Sequence, residues 1–109
     1  VQCTGGTITV RVIFVDLDET VCDTPGGTAQ DAARDYYSSV PRLEAIDKIN
    51  KLYDEGNEIV YWTARGSKSG KDWYHLTYTQ LKQWGAKFHQ LRCDKPYYDL
   101  FYDDRTQVL

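Results

Sequence analysis

Two aspartates one residue apart, Asp16 and Asp18, close the apolar run in "VIFVDLDETV" (12–21), and Glu19 stands directly behind them. Three carboxylates within four positions raise one another's pKa and oppose folding unless solvent or a cation neutralises them. A hard cation makes such a cluster useful. Mg²⁺ takes one or two carboxylates together with phosphate oxygens from a substrate. One aspartate can then act as a nucleophile, and a second two residues away is near enough to move protons. Further along, Thr63 closes "EIVYWT", Lys95 opens "KPYYDLFYDDRT", and Asp103-Asp104 close "DLFY". A threonine, the backbone N–H groups after it and a lysine are the donors that a transferring phosphoryl group needs around its oxygens.

Those residues must be held by strands. "TITVRVIFV" (7–15) is β-branched and becomes continuously apolar, the pattern of a central strand buried on both faces. Residues 22–40 are turn-rich without a sustained period and read as a loop with a short helical or hairpin excursion. In "PRLEAIDKINKLYDEGN" (41–57), Pro41 suits a first helical position. Leu43, Ile46, Ile49, Leu52 and Tyr53 form a helical stripe, and Gly56-Asn57 ends it. Strands follow at 58–63 and 86–91, separated by a helix at 72–85 with Asp72 as N-cap and Gly85 as stop. "DLFY" is the fourth strand. Alternating strands and helices imply parallel βαβ units in one α/β domain spanning 1–109, a Rossmann-like open sheet of about four strands. Ligands bind such sheets at the carboxyl ends of the strands, where Asp16/Asp18, Thr63 and Asp103/Asp104 all fall.

Composition narrows the class. A net charge of −3 gives no general affinity for nucleic acid, but charge is unevenly spread. Residues 12–58 carry eleven acids and four bases, and residues 65–95 carry seven bases and two acids. Folding brings together a face suited to a cation and one suited to an anion. Three cysteines, Cys3, Cys22 and Cys93, show no CxxC or zinc-ligand spacing, which disfavours a disulfide framework and favours a reducing, cytoplasmic setting. No apolar run reaches the roughly 20 residues of a membrane span, and no basic-then-apolar leader is present. "GSKSGKD" (66–72) imitates a nucleotide-binding GxxxxGK[ST] loop, yet has three residues between its glycines and Asp72 where Ser or Thr is required. A substrate-facing loop carrying Arg65, Lys68 and Lys71 is the better reading.

"DLDET" matches the DxDxT signature of the haloacid dehalogenase-like phosphohydrolase superfamily, and Thr63, Lys95 and Asp103-Asp104 follow in that family's order. The resemblance covers about residues 8–106. It implies Asp16 as nucleophile and Mg²⁺ ligand, and Asp18 as general acid/base with its backbone carbonyl on the metal. Thr63 and Lys95 would hold the phosphoryl group, with Ala64, Arg65 and Lys71 around the substrate. Asp104 would be a direct metal ligand, Asp103 would lie behind it, Thr20 would buttress the loop and Glu19 would be surface.

Neither 20–41 nor 63–95 has room for the cap domain that many such enzymes insert. An open site suits a macromolecular phosphate end or a small substrate enclosed by a neighbouring subunit. Tyr36, Tyr37, Trp73, Tyr74, Tyr97 and Tyr98 would then be stacking platforms or subunit contacts. The string "AIDKINKLYDEGNEIVYWTARGSKSGKDWYHLTYTQLKQWGAKFHQL…KPYYDLFYDDR" resembles small capless phosphatases of capsule and surface-polysaccharide biosynthesis. "DDRTQVL" resembles the end of the 3′-phosphatase domain of phage polynucleotide kinase. A small phosphorylated substrate, a sugar phosphate first, therefore leads, with nucleic acid only as a substrate end. A non-catalytic domain binding Mg²⁺ or a phospholigand is the competing class.

Overall fold

The computed structural model describes residues 10–26 and 34–109. Its elements in chain order are β1 (Val12–Val15), β2 (Cys22–Asp23), β3 (Val40–Pro41), α1 (Leu43–Asp54), β4 (Glu58–Trp62), α2 (Tyr74–Gln83) and β5 (Gln90–Arg92). β1, β4 and β5 form a parallel sheet in that order, with Val15 opposite Tyr61 and Trp62 opposite Arg92. β2 and β3 make a separate two-stranded antiparallel ladder. The chain is thus α/β with a three-stranded parallel sheet. No helix among the described residues is long and apolar enough to cross a membrane.

Strand order explains the layering. A right-handed crossover from β1 to β4 and another from β4 to β5 step in the same direction, so both helices land on one face. One core forms there. Val15 of β1, Ile59 and Tyr61 of β4, and Leu91 of β5 pack with Ile46 and Ile49 of α1 and Leu81 of α2. On the opposite face Val12 and Phe14 stay exposed, and Trp62 sets its ring edge-on to Phe14 at 5.4 Å. β1 is therefore an edge strand half in solvent, not a central strand buried on both faces. Its apolar run reflects packing on one side only, and residues 7–9 of the expected strand lie outside the described residues.

Other expectations shift in detail. Pro41 lies in β3, two residues before α1, and Leu43 is exposed rather than part of the buried stripe. Asp72 still receives the Tyr74 N–H at 2.9 Å, although α2 begins only at Tyr74. The strand expected at 86–91 forms at 90–92, because the preceding residues are used differently. The Nδ1 of His89 accepts the Ile59 N–H at 3.0 Å, so a ring takes the place of a ladder carbonyl. Loop 22–40 holds a short 3-10 turn at Tyr36–Ser38 besides β2 and β3, with 27–33 outside the described residues.

Among the described residues the expected fourth strand is not formed. After β5 the Lys95 N–H reaches back to the Thr63 carbonyl at 3.2 Å, which carries the chain over the carboxyl end of β4 instead of alongside β1. Leu100, Phe101 and Tyr102 are all exposed, and 99–102 has no ladder partner among the described residues.

The one-sided core makes a direct contrast. Ile49→Ala should cost about 2–5 kcal/mol by deleting buried side chain and leaving a cavity. Leu43→Ala on the same helix should stay within about 0.5 kcal/mol. Urea unfolding of the two variants measures both.

Candidate active site

Immediately after β1 the chain turns tightly around Leu17, whose buried carbonyl receives the N–H groups of Thr20 and Val21 at 2.9 Å each. Glu19 completes the turn with a φ of 63°, left-handed backbone that costs a non-glycine residue energy. With Leu17 pointing into the core, Asp16 and Asp18 face the carboxyl edge of the sheet. Thr63 comes from the end of β4, and Lys95 from the segment that crosses it. A cleft opens there with Asp16, Asp18, Thr63 and Ala64 on one side and Lys95 to Tyr98 on another, while Tyr36, Arg65, Ser67 and Lys68 complete its walls.

The two aspartates are held very differently. Asp16 is 43% exposed, with Lys95 Nζ 3.3 Å from one oxygen and the Thr20 hydroxyl donating to the other at 3.1 Å. Thr20 therefore orients the carboxylate itself. Asp18 is only 8% exposed and meets Arg65, whose side chain is fully buried. Arg65 forks onto it, Nε to Oδ2 at 3.1 Å and Nη2 to Oδ1 at 2.9 Å, and the Thr24 hydroxyl adds a third donor at 2.5 Å. Burial pushes the Asp18 carboxyl up, but the hydrogen bonds and charge of Arg65 outweigh it and hold the carboxyl below its ordinary range. Burial and the Asp18 charge push the thiol of Cys22, next to this pair, up to about 12.

Arg65 was expected to face substrate. It lines the cleft, but its guanidinium belongs to the scaffold: Nη1 donates to Thr77 at 3.0 Å and to Gln80 at 2.7 Å, Nη2 to Ser39 at 3.1 Å, and the group lies over the Tyr36 ring. Gln80 in turn donates to the Tyr36 carbonyl at 2.7 Å. Thr24, Ser39, Thr77 and Gln80 escaped the sequence reading. A signal existed for two of them: Thr77 and Gln80 sit three residues apart on the helix face that carries Leu81, where an apolar stripe would be expected.

Thr63 is buried, and its hydroxyl accepts the Arg65 N–H at 3.1 Å. Ala64 and Lys95 also line the cleft. Lys71 does not line it; its ammonium sits over Trp73 at 5.2 Å. Glu19 is more than surface, because it pairs with the buried Arg34 and accepts the Thr24 N–H at 3.1 Å. Tyr36 is buried against Trp73 rather than uncovered.

Asp103 and Asp104 are not brought to the cleft. Asp104 is 84% exposed, and Asp103 turns onto its own neighbours, Arg105 and Thr106. The cause is the missing fourth strand that was to carry them. Among the described residues no three acidic, His or Cys side chains gather as a metal site. The four-carboxylate Mg²⁺ set therefore does not fit this arrangement. Of its members, Asp16 and Asp18 line the cleft, and only Asp16 does so without the buried Arg65 on its carboxylate.

No family model and no curated protein matches this chain. Among solved structures, the crystal structure of a target protein from Vibrio cholerae is similar: 25% identity, TM-score 0.73, covering 91% of this chain and 84% of that one.

The Asp18–Arg65 pair gives a pH signature. Because the folded-state pKa of Asp18 is depressed, its contribution is fully present above the unfolded value near 4 and is lost as pH falls through the lower folded value. Asp18→Asn should destabilise the protein by about 3–5 kcal/mol at pH 7, since it leaves a buried guanidinium unpaired. It should also flatten the stability loss below pH 4. Urea titrations at pH 7 and across pH 2–4 measure both.

Proposed function

We propose that this protein is a phosphomonoester phosphatase of the haloacid dehalogenase-like type that works through an aspartyl-phosphate on Asp16. The observation carrying this reading is a half-exposed carboxylate at the end of a parallel strand, with Lys95 3.3 Å away and Thr63 at the end of the adjacent strand. That is a nucleophile beside donors for a phosphoryl group. An Asp16 oxygen attacks phosphorus, the P–O bond to the leaving group breaks, and the phosphoryl group moves to Asp16. Water then attacks that phosphorus and releases inorganic phosphate and free Asp16. Lys95 and the hydroxyl of Thr63 hold the equatorial oxygens.

Asp18 handles protons. Held ionised by Arg65, it is set to accept one from the attacking water. To protonate the leaving oxygen in the first step, Asp18 must first take a proton from solvent, which requires that Arg65 release one carboxylate oxygen. The carboxylate left after that transfer is the one that accepts the proton from water. Mg²⁺ belongs to the proposal as an ion held by Asp16 together with substrate oxygens, where it would neutralise phosphate charge. The longer resemblance to small phosphatases of surface-polysaccharide biosynthesis and the net charge of −3 favour a small phosphorylated metabolite, a sugar phosphate before a polynucleotide 3′-end, in a cytoplasmic enzyme whose cleft a second copy would help to enclose. The Arg65 clamp on Asp18 and the ungathered metal set favour one other reading: a phospholigand-binding domain of the same fold without turnover.

Hydrolysis of p-nitrophenyl phosphate decides between them. Turnover should require Mg²⁺, stop with EDTA, and fall at least about a thousandfold in a folded Asp16→Asn variant. A folded wild-type protein that binds phosphate yet turns over neither this ester nor a panel of sugar phosphates is the binding domain.

A further inference from the structure

The wall of the cleft beyond the reacting centre carries a cation that the proposed phosphoryl chemistry does not use. Lys95 is engaged with Asp16. Lys68 lines the same cleft, and among the described residues it forms no ion pair; its ammonium rests over the Tyr97 ring at 4.9 Å. The backbone that carries Lys68 and the ring beneath its ammonium each have hydrogen-bonded support. The Tyr97 hydroxyl is tied to Asp99 at 2.7 Å. The loop bearing Lys68 is closed by Ser67 N–H on the Ala64 carbonyl at 2.9 Å and by Gly70 N–H on the Gly66 carbonyl at 2.8 Å. Gly66 permits the loop, since a Cβ there would lie 2.1 Å from the Lys71 carbonyl oxygen at a φ of +85°. A closed loop thus presents this cation at the cleft, where a ligand anion can meet it.

The Lys68 ammonium is thus left for something the ligand brings. A phosphomonoester with a neutral leaving group offers it no charge. We propose that the cleft selects phosphomonoesters whose leaving group bears a second anionic group, and that Lys68 reads that group. The proposal rests on Asp16 and Lys95 receiving the phosphoryl end. The second anion can be the carboxylate of a sugar acid or the second phosphate of a nucleotide; each presents oxygen acceptors to an ammonium that has three donors.

Calorimetric binding to the full chain carrying Asp16→Asn, which prevents turnover, tests this with two matched pairs. 6-Phosphogluconate against sorbitol 6-phosphate adds a carboxylate. Adenosine 3′,5′-bisphosphate against adenosine 3′-monophosphate adds a phosphate. In at least one pair the more anionic member should bind about fivefold tighter, the size of a partly exposed ion pair. Lys68→Ala should erase that advantage, Lys68→Glu should invert it, and Lys48→Ala, a charge lost from the exposed face of α1, should keep it. Whichever pair responds identifies the sugar-acid or the nucleotide source. Equal affinities within both pairs, or an advantage that survives Lys68→Ala, overturn the proposal. Turnover of p-nitrophenyl phosphate without any such preference leaves the phosphatase reading standing and this one fallen. A Lys68-dependent preference without turnover does the reverse.

Discussion

A guanidinium with no access to solvent governs the architecture of the cleft. Burying Arg65 costs several kcal/mol in lost hydration, and only good geometry with nearly every donor satisfied offsets that cost. The bidentate grip on Asp18 neutralises the charge, while Thr77, Gln80 and Ser39 take the remaining N–H groups. Other features follow from this requirement. α2 carries polar residues on its inner face because they must reach Arg65. The 3-10 turn at Tyr36–Ser38 is drawn in because its ring covers the guanidinium and its carbonyl receives Gln80. A buried ion pair is weak evidence for stability in itself; here it specifies which segments meet.

The two aspartates of one short turn consequently live in different media. Asp16, beside Lys95 and half in water, has a screened interaction and freedom to meet a ligand. Asp18, in a far less polar setting, feels its cation strongly and cannot reorient without breaking several hydrogen bonds. Leu17 between them, with its side chain in the core and its carbonyl closing the turn, converts one residue of separation into that difference.

The parts legible in the sequence were those written in local pattern. Strand–helix alternation, the stripe of Ile46 and Ile49, and the placing of Asp16, Asp18, Thr63 and Lys95 at strand ends all depend on neighbouring residues and on the rule that sites lie at carboxyl edges. What stayed hidden depends on partners far along the chain. Arg65 looks like a surface cation until Asp18, 47 residues earlier, is seen to claim it. "DLFY" has strand composition, but a strand exists only where another pairs with it, and the Lys95–Thr63 bond leads the chain elsewhere. The continuous apolar run of β1 could not disclose that both crossovers would fall on one side.

The span of the Arg65 network also governs when the cleft can exist. Its contacts join positions 12 to 47 residues apart, so each closes a loop whose entropy is lost before any hydrogen bond returns it. α1 and the β1–β4 ladder need no member of that network. The cleft, by contrast, needs α2 and the 3-10 turn in place together, since Thr77 and Gln80 come from the one and Tyr36 from the other. α2 is not held by that network alone, because Leu81 ties it into the same core as Ile46 and Ile49. Release of α2 would therefore dismantle the site and uncover one side of the core together, so the integrity of the cleft is coupled to that of the layer beneath it.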